Sequence, residues 1–166
     1  MSGAIEVRLA ASVGSQDAAA WDNLTDGGNP FVSHAFLSAL EDSGSVGGRS
    51  GWQPVPLTIA GNDGRLAGAL PAYAKTHSQG EYVFDHGWAD AFQRAGGRYY
   101  PKLQCTVPFT PATGPRLIAR DPAHRRLLLD GLIELNARHG ASSAHITFMP
   151  EDEWKLAGEA GMLLRV

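Results

Sequence analysis

Three short stretches carry side chains whose types suit proton transfer or anion binding. His86 follows Asp85, and an imidazole beside a carboxylate can serve as a general base. Tyr99, Tyr100 and Lys102 are candidates to line a polar groove, with Tyr100 as the acid that protonates a leaving group. Thr113, Gly114 and Arg116 bring a hydroxyl, an amide and a guanidinium, three kinds of donor that together hold an anion. Each stretch also has a plainer reading. Sequence neighbours on a strand point to opposite faces, so Asp85 and His86 need not meet. The tyrosines could be aromatic packing beside a snorkelling Lys102. The segment Thr110–Arg116 could be a rigid proline-rich turn with a solvated arginine, because Pro111 and Pro115 remove amides that an anion nest needs.

The remaining chemistry-bearing residues are less suggestive. Six histidines are present, but none shows a His-x-x-x-His spacing, and His139 and His145 fall on different expected elements, so no metal site is expected. His34 falls in the first turn of a helix, facing a cleft or the surface. Cys105 is the only cysteine. It can form no disulfide within the chain, and it reads as a buried, inert thiol on a strand.

The 166 residues can bury one sizeable core but are too few for two full domains. The net charge of −3 lacks the clustered basic excess that a DNA-backbone binder needs. Hydrophobic residues make up 43% and charged residues 19%, which excludes disorder by composition. Twenty Gly and ten Pro imply many turns around a sheet. No apolar run approaches the ~20 residues that cross a bilayer, and Met1–Gln16 does not read as a signal peptide. A soluble cytoplasmic protein is expected.

Punctuation places these residues on elements. Ile5, Val7 and Leu9 alternate with charges, as in a half-buried strand. Asp17–Leu24 reads as a short helix broken by Gly27-Gly28-Asn29-Pro30. A second helix begins at Ser33 as N-cap, with Val32 and Leu37 as a hydrophobic staple, and stops at Gly44. Trp52–Ala60 and Leu66–Tyr73 read as a hairpin about Gly61-Asn62-Asp63-Gly64. Pro54 and Pro56 lie two apart, so both missing amides face one lateral side and pairing there is interrupted. Tyr82–Phe84 reads as a short strand, Trp88–Ala95 as a helix, and Leu103–Val107 and Leu117–Ala119 as strands. Pro122–His139 is the strongest helix, capped by Asp121 and closed by Gly140, with Leu128, Leu132 and Leu135 in one row. Ala144–Phe148 reads as a strand, Pro150–Ala157 as a helix with an acidic first turn, and Met162–Val166 as a last strand.

That order, β-α-α-β-β, an irregular middle, then β-α-β-α-β, resembles the GNAT acyltransferase fold. It implies a mixed α/β class with one central, mostly antiparallel sheet. Asn29–Glu41, Gly87-Trp-Ala-Asp90, Tyr99–Gln104 and Val107–Leu117 resemble the N-terminal half of a bacterial Fem-like family, described as peptidoglycan biosynthesis/recognition and GNAT-type acyltransferases. The resemblance covers nearly the whole chain. It implies that residues 1–166 form a single GNAT-like domain, the first half of a tandem pair. Family enzymes transfer an aminoacyl group to peptidoglycan precursors, and other GNAT enzymes use acetyl-CoA or another acyl-CoA. The resemblance therefore implies acyl or aminoacyl transfer to an amine, for which the side chains' own chemistry offers His86 and Tyr100 as catalytic residues and Lys102, Thr113, Gly114 and Arg116 as substrate or anion ligands. GNAT enzymes usually hold a pyrophosphate on a [Gln/Arg]-x-x-Gly-x-[Gly/Ala] loop, and Thr110–Arg116 departs from that pattern. A non-catalytic recognition or scaffold domain with a degenerate donor loop is the alternative. An apolar terminal strand at Met162–Val166 would expose a sheet edge, to be covered by a second GNAT-like half or by another copy of the chain.

Overall fold

The computed structural model describes residues 5–166. Eight strands are present among them: β1 (Val7–Leu9), β2 (Trp52–Pro54), β3 (Leu57–Ala60), β4 (Leu66–Leu70), β5 (Tyr73–Lys75), β6 (Lys102–Cys105), β7 (Ile118–Ala119) and β8 (Ala144–Ile146). Five α-helices accompany them: α1 (Ala18–Asp22), α2 (His34–Asp42), α3 (His86–Arg94), α4 (Pro122–His139) and α5 (Glu151–Glu159).

The class is mixed α/β, but the single central sheet expected from the sequence is two four-stranded sheets. Their orders are β1-β3-β4-β7 and β2-β5-β6-β8. The expected hairpin supplies strands to both. Trp52–Ala60 breaks at Pro54–Pro56 and Leu66–Lys75 breaks at Pro71, so one antiparallel ribbon bends from the second sheet into the first. The Val55 amide donates to the Ala72 carbonyl at 2.8 Å and carries the register across the bend. The missing amides of Pro54 and Pro56 face away from this partner. β2 is accordingly an edge strand, and β1 pairs only from Leu57 onward. All pairings are antiparallel except β6 with β8, which lie parallel and are joined through α4 as such neighbours require.

α4 forms where its punctuation places it. The Asp121 carboxylate accepts the Ala123 amide, and Gly140 closes the helix in the left-handed region at φ 61°. Its Leu128, Leu129, Leu132 and Leu135 bury against Leu57, Ile59 and Leu70 of the first sheet. Burial of each such side chain contributes roughly 1.5–3 kcal/mol. Gly131 lets the helix approach β1, because a Cβ there would lie 2.8 Å from Val7 Cγ1. The opposite face of the same sheet presents Ala69 and Ile118 to Trp21, Val32 and Leu37 of the α1–α2 region.

Two expected strands do not form. Tyr82 and Phe84 have φ of 60° and 50°, which a strand does not allow. Met162–Val166 makes no ladder. Met162 and Leu164 instead fold back onto the main core while Leu163 stays exposed, and the indole of Trp154 donates to the Arg165 carbonyl. The terminal run is therefore not the strand expected from the sequence. No helix among the described residues is long and apolar enough to cross a membrane.

Candidate functional site

The register of the second sheet creates an electrostatic problem. Trp52 pairs with Lys75, and Lys75 pairs with Lys102, so an indole and two ammonium groups stand in one row across β2, β5 and β6. Residues directly opposite point to the same face, and like charges there repel. Both lysines are fully buried. The segment between β5 and α3 resolves the problem by folding back with two carboxylates. Glu81 Oε2 lies 2.6 Å from Lys102 Nζ, and Glu81 Oε1 lies 3.6 Å from Lys75 Nζ. Asp85 Oδ2 accepts from Lys102 Nζ at 2.6 Å and from the Tyr99 hydroxyl at 2.7 Å. Lys75 Nζ also sits 3.6 Å from the centre of the Trp52 ring, a cation–π contact. Two cations and two anions balance inside the protein.

The protonation equilibria follow from this packing. Burial, reinforced by the neighbouring Lys102 charge and only partly offset by Glu81, pushes the Lys75 ammonium down to about 8. Burial pushes the Glu81 carboxyl up, against the pull of Lys102. Burial also acts to raise Asp85, but its hydrogen bonds, that from Lys102 foremost, outweigh it and hold the carboxyl at about 2.

The covering segment is pinned along its length. His77 Nε2 lies 2.8 Å from the Ser50 carbonyl, so it must donate there. Its Nδ1 is then an acceptor, taking the Gln79 amide at 3.1 Å and facing Lys75 Nζ at 3.4 Å. Gly80, at φ 79°, lies under Phe109, where a Cβ would be 2.6 Å from the ring. Beyond it the side chains alternate. Glu81 and Asp85 turn inward, while Tyr82 and Phe84 turn out to 48% and 80% exposure.

These outward rings are held in an unfavourable backbone. Tyr82, Phe84 and Phe109 all have positive φ (60°, 50° and 59°) and all are exposed. A left-handed conformation costs a bulky residue roughly 1–2 kcal/mol, and an exposed ring returns little burial energy. Trp88 and Phe92 of α3, the helix that follows this segment, are exposed as well. Among the described residues, every exposed large aromatic side chain falls between Tyr82 and Phe109. Each is carried by, or packed on, a segment that the charged cluster anchors.

The residues singled out from the sequence are placed as follows. Tyr100 lies at the rim of the cluster, half-buried, its hydroxyl 2.7 Å from Ser78 Oγ and its ring 5.0 Å from that of Tyr99. His86 opens α3 and is exposed, and the Asp85 carboxylate is engaged by Lys102 and Tyr99 instead. Lys102 is the centre of the buried cluster and not a groove-lining side chain. Arg116 corrects the expectation of a solvated anion ligand. It is fully buried, and its guanidinium donates to the carbonyls of Ala112, Gly114, Pro115 and Thr147. The loop closes on its own arginine, whose planar set of donors reaches the carbonyls of Ala112, Gly114 and Pro115. Glu153 completes the knot by accepting the amides of Arg116 and Leu117 at 2.8 and 3.1 Å. Gly114 packs against Asn29, whose side chain donates to the exposed Thr113's carbonyl, so neither Thr113 nor Gly114 meets the Lys75–Lys102 cluster in a common set of contacts. Cys105 is buried, and burial pushes its thiol up to about 12.

Sequence reasoning passed over Lys75, His77, Ser78 and Glu81. A signal was present: two lysines at the ends of apolar strands, and two carboxylates four residues apart, with aromatics between them, on the segment joining those strands.

No curated protein and no solved structure matches this chain. The model of one family, described as FemAB-like, peptidoglycan biosynthesis/recognition, matches residues 12–166. That match spans the bent ribbon, the charged cluster and the aromatic rim, and by it the chain belongs to the FemAB-like family, as its motifs implied.

Proposed function

We propose that this chain recognises the acceptor, a peptidoglycan precursor, within an acyl or aminoacyl transfer system of GNAT-like architecture. The observation that carries the reading is the trio of exposed aromatic side chains, Tyr82, Phe84 and Phe109, held at positive φ over a buried, charge-balanced anchor. Strain of this kind persists where the surroundings over-determine it, and it gathers at binding sites. Rigid rings around neutral polar groups suit a ligand with sugar faces and peptide bonds. The hydroxyls of Tyr100 and Ser78 supply the hydrogen bonds at its edge.

Donor binding by Thr110–Arg116 is disfavoured, because the Arg116 guanidinium is engaged by four carbonyl oxygens. In this reading acetyl-CoA or an aminoacyl donor is handled by a second GNAT-like half or another chain. A catalytic version is favoured by one observation, the 2.7 Å contact of Tyr100 with Ser78 at the rim. There Tyr100 would pass a proton to a leaving group, and His86, exposed on α3, would take one from the acceptor amine.

A thermal-shift titration with a soluble muramyl pentapeptide tests the proposal. Saturation to 100 times Kd adds about 2.7 kcal/mol of stability. Phe84→Asn should abolish the shift and leave the fold intact, since asparagine tolerates the left-handed region. Stabilisation by millimolar acetyl-CoA with none by the muramyl peptide would refute the reading.

A further inference from the structure

A second recess lies away from the aromatic rim, between the loop after α1 and the strand-to-helix junction β7–α4. It is a cleft of about 620 Å³, within the range of small-ligand sites. Leu24, Pro115 and Pro150 supply apolar wall, and Arg120, Arg125, Asp26 and Asp152 supply charge.

The charges are not equivalent. Arg125 is satisfied: its Nε donates to the Ala119 carbonyl at 2.9 Å and its Nη1 meets Asp152 at 3.2 Å. Glu153, deeper in the wall, accepts two backbone amides. Two opposite charges remain. Arg120 is held by its Nε, which donates to the Asn23 carbonyl at 2.8 Å. Among the described residues nothing engages its two Nη groups, so it presents a planar two-donor edge already oriented by the backbone. Asp26 has one oxygen taken by the Gly28 amide at 2.9 Å, and its carboxylate makes no ion pair with a described residue. A cation and an anion thus line one cleft without pairing with each other.

We infer that this cleft binds a small zwitterion, an amino acid or short peptide, with its carboxylate on the Nη edge of Arg120 and its ammonium on Asp26. The chemistry argues against the nearest alternative. A phosphate would meet Arg120, but Arg125 is already paired with Asp152, and the unpaired Asp26 and the Glu153 carboxyl share the wall and disfavour a dianion. A ligand carrying both signs answers both unpaired groups, and Leu24 with the two prolines covers its apolar body. This site is independent of the aromatic rim, so either proposal can fail alone.

Amide-resolved NMR titration with the dipeptide alanyl-alanine tests it. The expected result is saturable shifts at Gly27, Gly28, Ala119 and Arg120. N-acetyl-alanyl-alanine, which lacks the ammonium, and alanyl-alaninamide, which lacks the carboxylate, should each bind about tenfold or more weakly, a loss of about 1.4 kcal/mol. Asp26→Asn and Arg120→Gln should each weaken alanyl-alanine to the same degree while the remaining spectrum stays folded, and Phe84→Asn should leave it unchanged. Three results would overturn the inference: no shift at these amides, equal binding of the acetylated dipeptide, or tighter binding of inorganic phosphate than of alanyl-alanine.

Discussion

Lys102→Met is the sharpest probe of the buried cluster. The ammonium of Lys102 contacts Glu81 and Asp85 at 2.6 Å each, with no solvent access. Methionine keeps the unbranched apolar stem but leaves two buried carboxylates facing one cation, Lys75, 3.6 Å from Glu81. Removing one partner of a buried ion pair costs about 3–5 kcal/mol. Typical total stability is about 5–15 kcal/mol, so the variant should be close to unfolding. Urea titration followed by tryptophan fluorescence reads this directly, since Trp52 lies over Lys75. With a slope of about 2 kcal/mol per molar, the midpoint should fall by about 1.5–2.5 M. Adding Asp85→Asn restores the balance of one cation and one anion and should recover at least about 1 kcal/mol. The defect of the single variant should also shrink on acidification, because protonating a stranded carboxylate removes the unpaired charge. A loss below about 1 kcal/mol, or a double variant no better than the single one, would refute the account of the cluster as a balanced buried network.

Three further outcomes follow from the same packing. Arg116→Lys keeps the charge but not the planar set of donors, so buried carbonyls lose partners and urea stability should drop by about 2 kcal/mol or more; an unchanged midpoint would return Arg116 to the surface role expected from its sequence. For pH dependence, Lys75 has a folded value of about 8 against an ordinary 10.5, so the unfolded chain binds more protons above pH 8 and stability should rise with pH there. Cys105, raised from 9 to about 12, opposes this above pH 9, so denaturant titrations should show the rise between pH 8 and 9 and its erosion beyond. At the acid end Asp85 has the same sign as Lys75, because its folded value is also depressed: its stabilisation is complete above about pH 4 and is lost as the pH falls toward 2. Gly131→Ala should destabilise despite a helix-propensity gain of about 1 kcal/mol, because the new methyl meets Val7 Cγ1 at 2.8 Å; calorimetry of Gly131→Ala with Val7→Ala should show the sign reversed, and a stabilised single variant would contradict the close approach.

Local rules reached far into this chain. The caps at Ser33 and Asp121, the stop at Gly140, the turn at Gly61–Gly64 and the break at Pro54–Pro56 were legible because each depends on a few adjacent residues. The family was legible for the same reason, through contiguous motifs such as Val107–Leu117. What failed depended on partners distant in sequence. Tyr82–Phe84 carries strand-forming residues, yet Glu81 and Asp85 must both reach the lysines, and that twists the backbone between them into positive φ. Arg116 reads as a solvated side chain, because nothing nearby announces the Thr147 carbonyl 31 residues away or the Glu153 carboxylate that takes its amide. Lys75 and Lys102 are ordinary surface lysines in a one-dimensional reading. Only the pairing of β5 with β6 sets them face to face in the interior, where a low dielectric makes an unbalanced charge costly and so dictates which carboxylates must join them.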